Sequence, residues 1–344
     1  MIRFECDYAE GAHERILARL TETNYEQTPG YGMDAHCEAA RRHIRREIGV
    51  EDADVHFLVG GTQANTIMLA SILRPHQGAL SATTGHIAVH ETGAIEATGH
   101  KVLALPSDDG KITAEQVRSE HAAHWSDPSH EHVVQPGLVY LSQPTENGTI
   151  YSKSEFASLH AACRDCALPL VVDGARMGYG LAAPGGDLAL SDIAALSDMF
   201  SIGGTKVGAL FGEAVVIVNN ALKKDFRYII KQRGGMLAKG RLLGIQFETL
   251  FEDGLYYEVS RHAVEQAMRI RDAFTARGVS FRYDSPTNQQ FPILSAAALR
   301  KLGEKYSFSH WEKHDEHHDV VRFCTSWATK REHIDMLLDD IGGL

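Results

Sequence analysis

The sequence predicts an α/β fold with a mainly parallel sheet, followed by a smaller C-terminal α+β domain. Between about residues 35 and 250, apolar runs of four to six residues alternate with longer helical patterns, which is typical of βαβ units. After Gly254 this alternation gives way to one long amphipathic segment and three strand-like runs. We therefore predict a large domain over residues 1–250, with residues 1–33 as an N-terminal arm, and a small domain over residues 251–344.

Individual elements follow from apolar periodicity and from helix-start signals. Capping boxes, in which two side chains satisfy unpaired backbone amides, predict helix starts at Thr113, Ser152 and Thr329. The predicted strands of the large domain are Val55–Val59, Val102–Leu105, Leu138–Leu141, Leu170–Val172, Met199–Ile202 and Val215–Val218. In the small domain we predict helices over Tyr256–Arg277, Ser295–Lys305 and Glu332–Ile341, and strands over Val279–Tyr283, Gln290–Leu294 and Val320–Thr325.

Composition narrows the class of protein. The net charge of −11 argues against a nucleic acid or an anionic membrane as partner, because both would repel an acidic surface. No apolar run approaches the roughly 18–20 residues that a membrane span needs. The N-terminus, Met1-Ile-Arg-Phe-Glu-Cys-Asp7, is too polar for a signal peptide. We expect a cytoplasmic protein that acts on a small molecule.

Three segments at predicted strand ends carry the chemistry. Gly60-Gly-Thr-Gln-Ala-Asn65 connects a strand to a helix, so its backbone amides can hold a phosphate. Asp173 ends an apolar strand and needs a cationic partner there, although it could instead cap the next turn or pair with Arg176. Lys206 follows Gly203-Gly204-Thr205 among apolar residues, a setting suited to a Schiff-base amine. In this order, the three segments predict a site for pyridoxal phosphate, which would supply most of the chemistry.

The same segments resemble the threonine aldolase and β-eliminating lyase group of fold-type I pyridoxal-phosphate enzymes. The likeness extends from Cys6-Asp7 to Arg322-Phe-Cys-Thr-Ser-Trp327 and includes Gly85-His86 with Glu91. It implies that Lys206 forms the Schiff base and that Asp173 pairs with the pyridine nitrogen. Gly61 and Thr62 would hold the phosphate.

The resemblance also implies a substrate site and an assembly. His86 would stack on the cofactor ring and serve as a base, directly or through water. Arg176 and Arg322 would bind the substrate carboxylate, since an arginine fork matches a carboxylate with two hydrogen bonds. Tyr31 would lie at the active site across a subunit boundary. Members of the group are homodimers or homotetramers with active sites at the subunit interface.

The sequence departs from the family pattern at three places. Cys6 stands near the carboxylate clamp, where a serine is usual. The loop Ser142-Gln-Pro-Thr-Glu-Asn-Gly148 has no histidine, which leaves the base open. Leu237 occupies the place of an arginine, so Arg233 or Lys239 would supply the phosphate-binding cation, and we prefer Arg233.

These features predict the cleavage of L-threonine, L-allo-threonine or a related β-hydroxy-α-amino acid to glycine and an aldehyde. The main alternative is β-elimination, which would release a keto acid and ammonia. A metal-dependent aldolase built on the histidines near His314, His317 and His318 is a third reading, but that charged segment is typical of a solvated surface and we expect no metal. A fourth reading is a protein that binds the cofactor without catalysis.

Overall fold

The computed structural model describes all 344 residues and divides them into thirteen strands and thirteen α-helices. The strands are β1 (Ile2–Arg3), β2 (Asp54–Leu58), β3 (Gln77–Ala82), β4 (Lys101–Leu105), β5 (Gln135–Ser142), β6 (Leu170–Asp173), β7 (Met199–Gly203), β8 (Glu213–Ile217), β9 (Gln289–Gln290), β10 (Ile293–Ser295), β11 (Tyr306–Ser307), β12 (Ser309–Lys313) and β13 (His318–Cys324). The helices are α1 (Glu14–Glu22), α2 (Ala35–Ile48), α3 (Gly61–Ile72), α4 (His86–Val89), α5 (Ala114–Ser126), α6 (Lys153–Asp165), α7 (Met177–Leu181), α8 (Leu190–Leu196), α9 (Phe226–Gln232), α10 (Arg241–Glu252), α11 (Leu255–Ala276), α12 (Ala296–Gly303) and α13 (Arg331–Gly342). None of these helices is both long and apolar enough to cross a membrane.

A seven-stranded sheet in the order β2-β8-β7-β6-β5-β3-β4 organises the large domain. Strands β3 to β7 run parallel, and β8 is antiparallel to both of its neighbours. Consequently β2, β6 and β7 end at one edge of the sheet, and β8 begins at that same edge. Ligands of open α/β sheets bind outside the carboxyl ends of the strands, so this edge is where a site is expected.

The two faces of the sheet are set by side-chain alternation along the buried strands. Leu141, Val172 and Phe200 pack into the largest apolar cluster on one face. Tyr140 and Val171 pack on the other face, which helix α3 covers. Since successive side chains of a strand point to opposite faces, Asp173 continues the face of Val171 and lies beside Tyr140.

All six strands predicted for the large domain are confirmed, but a seventh, β3, was missed. Its sequence, Gln77-Gly-Ala-Leu-Ser-Ala82, has Leu80 as its one large apolar residue and so lacks the apolar run that marks the other strands, although both of its edges pair with neighbouring strands. The capping boxes at Thr113 and Ser152 are confirmed. The one at Thr329 is wrong: α13 begins at Arg331, and Thr329 Oγ1 instead accepts the amide of Ser326 over 2.8 Å.

The small-domain predictions hold in part. The three helices and β13 lie close to the predicted ranges, and the run Gln290–Leu294 is split between β9 and β10. The predicted strand Val279–Tyr283 is wrong, because only Phe281 forms a single bridge, to Pro292. The charged strand β12, which pairs with β13, was missed.

Two features connect the large domain with the small domain. Strand β1 pairs with β11, and the amide of Cys324 donates to the carbonyl oxygen of Phe4 over 2.7 Å, so the N-terminal arm lies against the small-domain sheet. Helix α11 packs Val259 into the large-domain core and Phe274 into the small-domain core. We propose a domain boundary near residue 250, at the carboxyl end of α10 and five residues before this shared helix.

Candidate active site

Lys206 follows the carboxyl end of β7, in a turn held against the start of β8. The amide of Thr205 donates to the carbonyl oxygen of Gly212 over 3.1 Å. The hydroxyl of Tyr179 donates to the carbonyl oxygen of Lys206 over 2.5 Å. The Nζ atom of Lys206 lies 6.0 Å from the ring centre of Tyr8. A fixed backbone with an extended amine suits a lysine that binds a cofactor covalently.

Asp173 ends β6 with its carboxylate buried beside Tyr140. The hydroxyl of Tyr140 donates to Oδ2 of Asp173 over 2.6 Å, and Nδ2 of Asn65 donates to the same oxygen over 2.9 Å. The amide of Ala175 donates to Oδ1 over 2.8 Å. Burial raises the pKa of Asp173, but the charge of His86 and these hydrogen bonds outweigh burial and hold the pKa below its usual value. The carboxylate is therefore ionised and suited to a cationic partner such as a pyridinium nitrogen.

A chain of hydrogen bonds joins His86 to Asp173 through Glu91 and Asn65. The Nδ1 atom of His86 lies 2.7 Å from Oε1 of Glu91, and Nδ2 of Asn65 donates to that same oxygen over 2.7 Å. Burial lowers the pKa of His86. The hydrogen bond to Glu91 and the charges of Asp173 and Glu146 outweigh burial, so the net shift of the pKa is upward. Because Nδ1 is engaged, only Nε2 is left for a ligand, and the exposed third of the side chain can lie against a flat ring.

The turn between β2 and α3 offers unpaired backbone amides. Gly60 precedes α3 with no side chain that caps it. A side-chain carbon placed on Gly60 or Gly61 would meet no atom within 4 Å, so the backbone of the turn faces open space. The first-turn amides of α3, at Gly61 and Thr62 among others, are thus free to bind an anion such as a phosphate.

Arg233 lies immediately after α9 and precedes a loop that packs on α3. In this loop, a side-chain carbon on Gly235 would lie 2.9 Å from Ile67. The Nε atom of Arg233 is buried and has no hydrogen-bond partner in the chain. Lys239, the other candidate for the phosphate-binding cation, is exposed, and Leu237 is half-buried.

Asp7 and Arg176 form a buried ion pair where the N-terminal arm meets the large domain. Nε and Nη2 of Arg176 donate to the two carboxylate oxygens of Asp7 over 2.7 and 2.9 Å, and Nδ2 of Asn288 donates to Oδ2 over 2.9 Å. Burial raises the pKa of Asp7, but Arg176 outweighs burial and lowers the pKa to about 2. Because Nε and Nη2 of Arg176 bind Asp7, Nη1 is the nitrogen that remains unbound and can reach a substrate carboxylate.

Asp7→Asn is expected to lower the free energy of unfolding by about 3–5 kcal/mol, because it leaves a buried guanidinium unpaired. The folded-state pKa of about 2 lies below the ordinary 3.8, so ionised Asp7 stabilises the fold above about pH 4 and loses this effect as the pH falls towards 2. In urea denaturation, the gap between wild type and variant should therefore narrow over that pH range.

The exposed pair Arg15–Asp253 supplies the control for this experiment. Asp253→Asn should change the unfolding free energy by about 1 kcal/mol or less, since exposed ion pairs contribute little. An Asp7→Asn effect as small as that of Asp253→Asn would contradict the structural role given to the buried pair.

Arg322 reaches the site from β13 of the small domain. Its Nη1 donates to Oε1 of Gln289 over 3.2 Å, and its Nη2 donates to the carbonyl oxygen of Glu5 over 3.0 Å. Its guanidinium carbon lies 5.2 Å from the ring centre of Trp311. The Nε atom is buried without a partner, so Arg322 keeps a donor for a ligand carboxylate.

Both arginines hold the N-terminal arm. Arg176 donates to the carboxylate of Asp7, and Arg322 donates to the carbonyl oxygen of Glu5, two residues earlier. The ring centre of His90 lies 5.7 Å from that of His86 and 6.3 Å from that of Trp311, the ring that the guanidinium of Arg322 faces. These contacts connect the two arginines with the His86 side of the site.

Cys6 is next to a member of this group in the chain, whereas Tyr31 is not. Cys6 precedes Asp7 directly and carries a free, half-buried thiol. Tyr31 lies at the far end of the N-terminal arm, where Nζ of Lys231 is 4.8 Å from its ring centre and Nη2 of Arg227 donates to its carbonyl oxygen over 3.2 Å. None of these contacts involves a residue of the site in the same chain.

The histidine-rich segment is not part of this group of site residues. It forms the turn between β12 and β13, where His318 Nδ1 lies 3.0 Å from the carboxylate of Asp315. In the structure, no group of three or more His, Cys, Asp or Glu side chains has an arrangement that could hold a metal ion.

Several site residues were not singled out from the sequence, namely Asp7, Asn65, Tyr140, Glu146 and Gln289. Tyr140 and Glu146 carried a weak signal, because a tyrosine in a buried strand and a carboxylate in a loop without other charges both need partners. Asp7 and Gln289 carried no local signal, since their partners are distant in sequence.

The arrangement fits pyridoxal phosphate. Asp173 offers an ionised carboxylate, Lys206 an amine, and α3 unpaired amides, all at one edge of the sheet. In addition, Oδ1 of Asn65 and Nε of Arg233 are buried polar atoms without a partner in the chain, and such atoms are usually satisfied by a ligand or water.

Comparison with known proteins agrees with this site. A family model described as beta-eliminating lyase matches residues 10–327. The low specificity L-threonine aldolase of Pseudomonas sp. (strain NCIMB 10558) is 30% identical over 98% of this chain and 96% of its own length. The yeast (Saccharomyces cerevisiae) low specificity L-threonine aldolase is 26% identical over 84% of this chain and 76% of its own.

Solved structures extend the likeness. A threonine aldolase from Leishmania major superposes with a TM-score of 0.96 and 42% identity, covering 99% of this chain and 98% of that one. A Thermus thermophilus aspartate aminotransferase variant, at 15% identity and a TM-score of 0.71 over 100% of this chain and 91% of that one, shares the fold alone. This chain therefore belongs to the beta-eliminating lyase family, a group of pyridoxal-phosphate-dependent lyases built on the aspartate aminotransferase fold.

Proposed function

We propose that this enzyme cleaves L-threonine, L-allo-threonine or a related β-hydroxy-α-amino acid to glycine and an aldehyde. The observation that carries the proposal is that Arg176 and Arg322 bind the N-terminal arm two residues apart, at Asp7 and Glu5, while Lys206 and Asp173 follow strands that end at one edge of the sheet. Two arginines next to an amine and a buried acid match an α-amino acid substrate, and the named relatives act on threonine.

Each side chain has a role that follows from its contacts. When bound, pyridoxal phosphate accepts the electron pair released at Cα. Lys206 would hold the cofactor through its amine. Asp173 keeps its negative charge through its three hydrogen-bond donors and would pair with a cationic ring nitrogen. His86, held by Glu91, would supply a flat surface for the ring.

The arginines determine which bond breaks. Arg322 binds the substrate carboxylate through its unpartnered Nε, and Arg176 assists through Nη1. These donors hold the carboxylate in an orientation in which its own bond to Cα does not break. The bond between Cα and Cβ is then the one that is cleaved. Cys6 precedes Asp7, the partner of Arg176, and would lie next to this clamp. Gly61 and Thr62 would hold the phosphate, with Arg233 as its cation.

We further propose that the enzyme is a homodimer or homotetramer in which neighbouring chains complete each site. Tyr31 is 45% exposed and has no contact with its own chain's site. Other large apolar side chains close to it in sequence, Tyr25 and Met33, are also exposed. A partner chain that covers them would remove this apolar surface from water and bring Tyr31 to a site in another subunit.

Product identification tests the proposed reaction. Cofactor-loaded enzyme incubated with L-threonine or L-allo-threonine is expected to yield glycine and acetaldehyde in equal amounts, measured by chromatography of both products. 3-Chloro-L-alanine, which has a leaving group but no β-hydroxyl, is the matched substrate and should react far more slowly. 2-Oxobutanoate and ammonia as the main products from threonine, or rapid release of pyruvate and ammonia from 3-chloro-L-alanine, would replace the proposal by β-elimination.

A further inference from the structure

The loop after β5 places a buried carboxylate, Glu146, directly against His86. Its Oε1 accepts hydrogen bonds from the hydroxyl of Ser142 over 2.6 Å and from the amide of His86 over 3.0 Å. Its Oε2 is buried and has no hydrogen-bond partner in the chain. The residue is only 8% exposed. A carboxylate with one oxygen anchored and the other unpaired is oriented toward something that the chain itself does not supply.

The surroundings of Glu146 place it between the cofactor side and the carboxylate side of the site. His86 contacts it on one side. On the other, Nε2 of Gln289 donates to the carbonyl oxygen of Glu146 over 3.5 Å, while Oε1 of the same Gln289 accepts from Arg322. A substrate whose carboxylate lies at Arg322 and whose amine lies at Lys206 therefore presents its side chain near Glu146.

We propose that Glu146, rather than His86, takes the proton of the substrate β-hydroxyl. The proton passes to Oε2, and the electron pair of the O–H bond forms the carbonyl bond of the aldehyde. The Cα–Cβ bond gives its pair to Cα, where the cofactor delocalises it. A proton delivered to Cα then completes glycine. This inference rests on the proposed aldol cleavage and names a group that acts in it.

The competing base, His86, is less suited to this step. Its Nδ1 is committed to Glu91, and its raised pKa keeps a larger fraction of the ring in the protonated form, which cannot accept the substrate proton. Burial raises the pKa of Glu146, as does the charge of Asp173, whereas the hydrogen bond from Ser142 lowers it, and the net shift is upward. A carboxylate with a raised pKa is a stronger base than an exposed one.

The other ionisable groups around Glu146 are compatible with this role. Arg176 is positive, and the negative charge of Glu146 contributes to the raised pKa of Arg176 and to that of His86. Tyr140 and Tyr151 are neutral, because burial and the charges around them raise their pKa values above the ordinary value. The negative charge of Asp173 repels ionised Glu146. A cationic cofactor nitrogen would neutralise this charge.

Glu146→Gln separates this role from cofactor binding. The amide oxygen can keep the hydrogen bonds of Oε1, but it cannot accept a proton. Cleavage of L-threonine should fall at least ~100-fold in kcat. Exchange of the α-hydrogen of glycine with deuterated water, followed by NMR, should stay within about threefold of wild type, because glycine has no β-hydroxyl. Equal losses in both reactions, or full cleavage activity, would overturn the inference.

Ser142→Ala is the matched variant, since it keeps the carboxylate and removes one donor. The loss of this hydrogen bond raises the pKa of Glu146 further, so the acid limb of the kcat profile for threonine should move to higher pH. In Glu146→Gln that limb should be absent. An acid limb at the same pH in all three proteins would contradict the assignment.

Infrared spectroscopy of the cofactor-free protein gives a readout that does not depend on activity. Titration should show the carbonyl band of a protonated carboxyl group that disappears at a pH above the range of ordinary glutamates, and Glu146→Gln should lack it. If no such band exists, Glu146 does not have the raised pKa that the proposed role as a base requires. Failure of the wild-type enzyme to form glycine and aldehyde would instead refute the proposed function itself.

Discussion

Lys206→Ala is expected to abolish turnover of L-threonine. The loss should exceed the ~10²–10⁴-fold effect of removing a single acid–base group, because Lys206 is the only group proposed to bind the cofactor covalently. The turn around it should survive, since the backbone of Lys206, and not its side chain, accepts the hydrogen bond from Tyr179. Glycine formation by chromatography measures the effect.

Borohydride supplies an independent measurement for this variant. It reduces the imine between Lys206 and the cofactor to a stable amine, so mass spectrometry of the digested wild-type protein should find the cofactor on the peptide that contains Lys206. Lys153, an exposed lysine paired with Asp192, gives the control. Lys153→Ala should be labelled and active like wild type. Cleavage of threonine by Lys206→Ala at the wild-type rate would refute the assignment.

Asp173→Asn is expected to lower kcat at least ~100-fold and to weaken cofactor binding, as other losses of a preorganised charge do. The neutral amide no longer pairs with a cationic ring nitrogen. It also disturbs the existing network, because both carboxylate oxygens accept hydrogen bonds and an amide nitrogen cannot. Turnover of L-threonine and spectrophotometric titration with the cofactor measure the two effects.

Tyr140→Phe is the matched control for Asp173→Asn. It removes one donor from Oδ2 of Asp173 and leaves the charge and the hydrogen bond from Asn65 in place. A hydrogen bond to a charged group contributes about 1.5–3 kcal/mol, so we expect a clear but smaller loss of activity. If Tyr140→Phe lowered the activity more than Asp173→Asn did, the negative charge would not be the main contribution of Asp173 to catalysis.

Local sequence patterns were enough for most of the large domain. The buried strands around Leu138 and Leu170 form continuous apolar runs, and turn chemistry marks where they end. Because β2, β6 and β7 end at one edge, Gly61, Asp173 and Lys206 could be placed in one site from the sequence once a parallel sheet was assumed. The prediction of a helix cap at Thr329 was wrong because the hydroxyl of Thr329 accepts a hydrogen bond from the amide of Ser326 instead.

The sequence by itself determined the fold class, the order of the phosphate turn, the acid and the lysine, and their shared edge, since periodicity and turn residues are local properties. Only the tertiary structure decided that Arg176 pairs with Asp7, which lies 169 positions away, and that Glu146 lies against His86 with one oxygen unpaired. Such contacts depend on how distant elements pack, because a side chain's partners and burial are set by the surfaces brought together around it and leave no periodic trace in the chain.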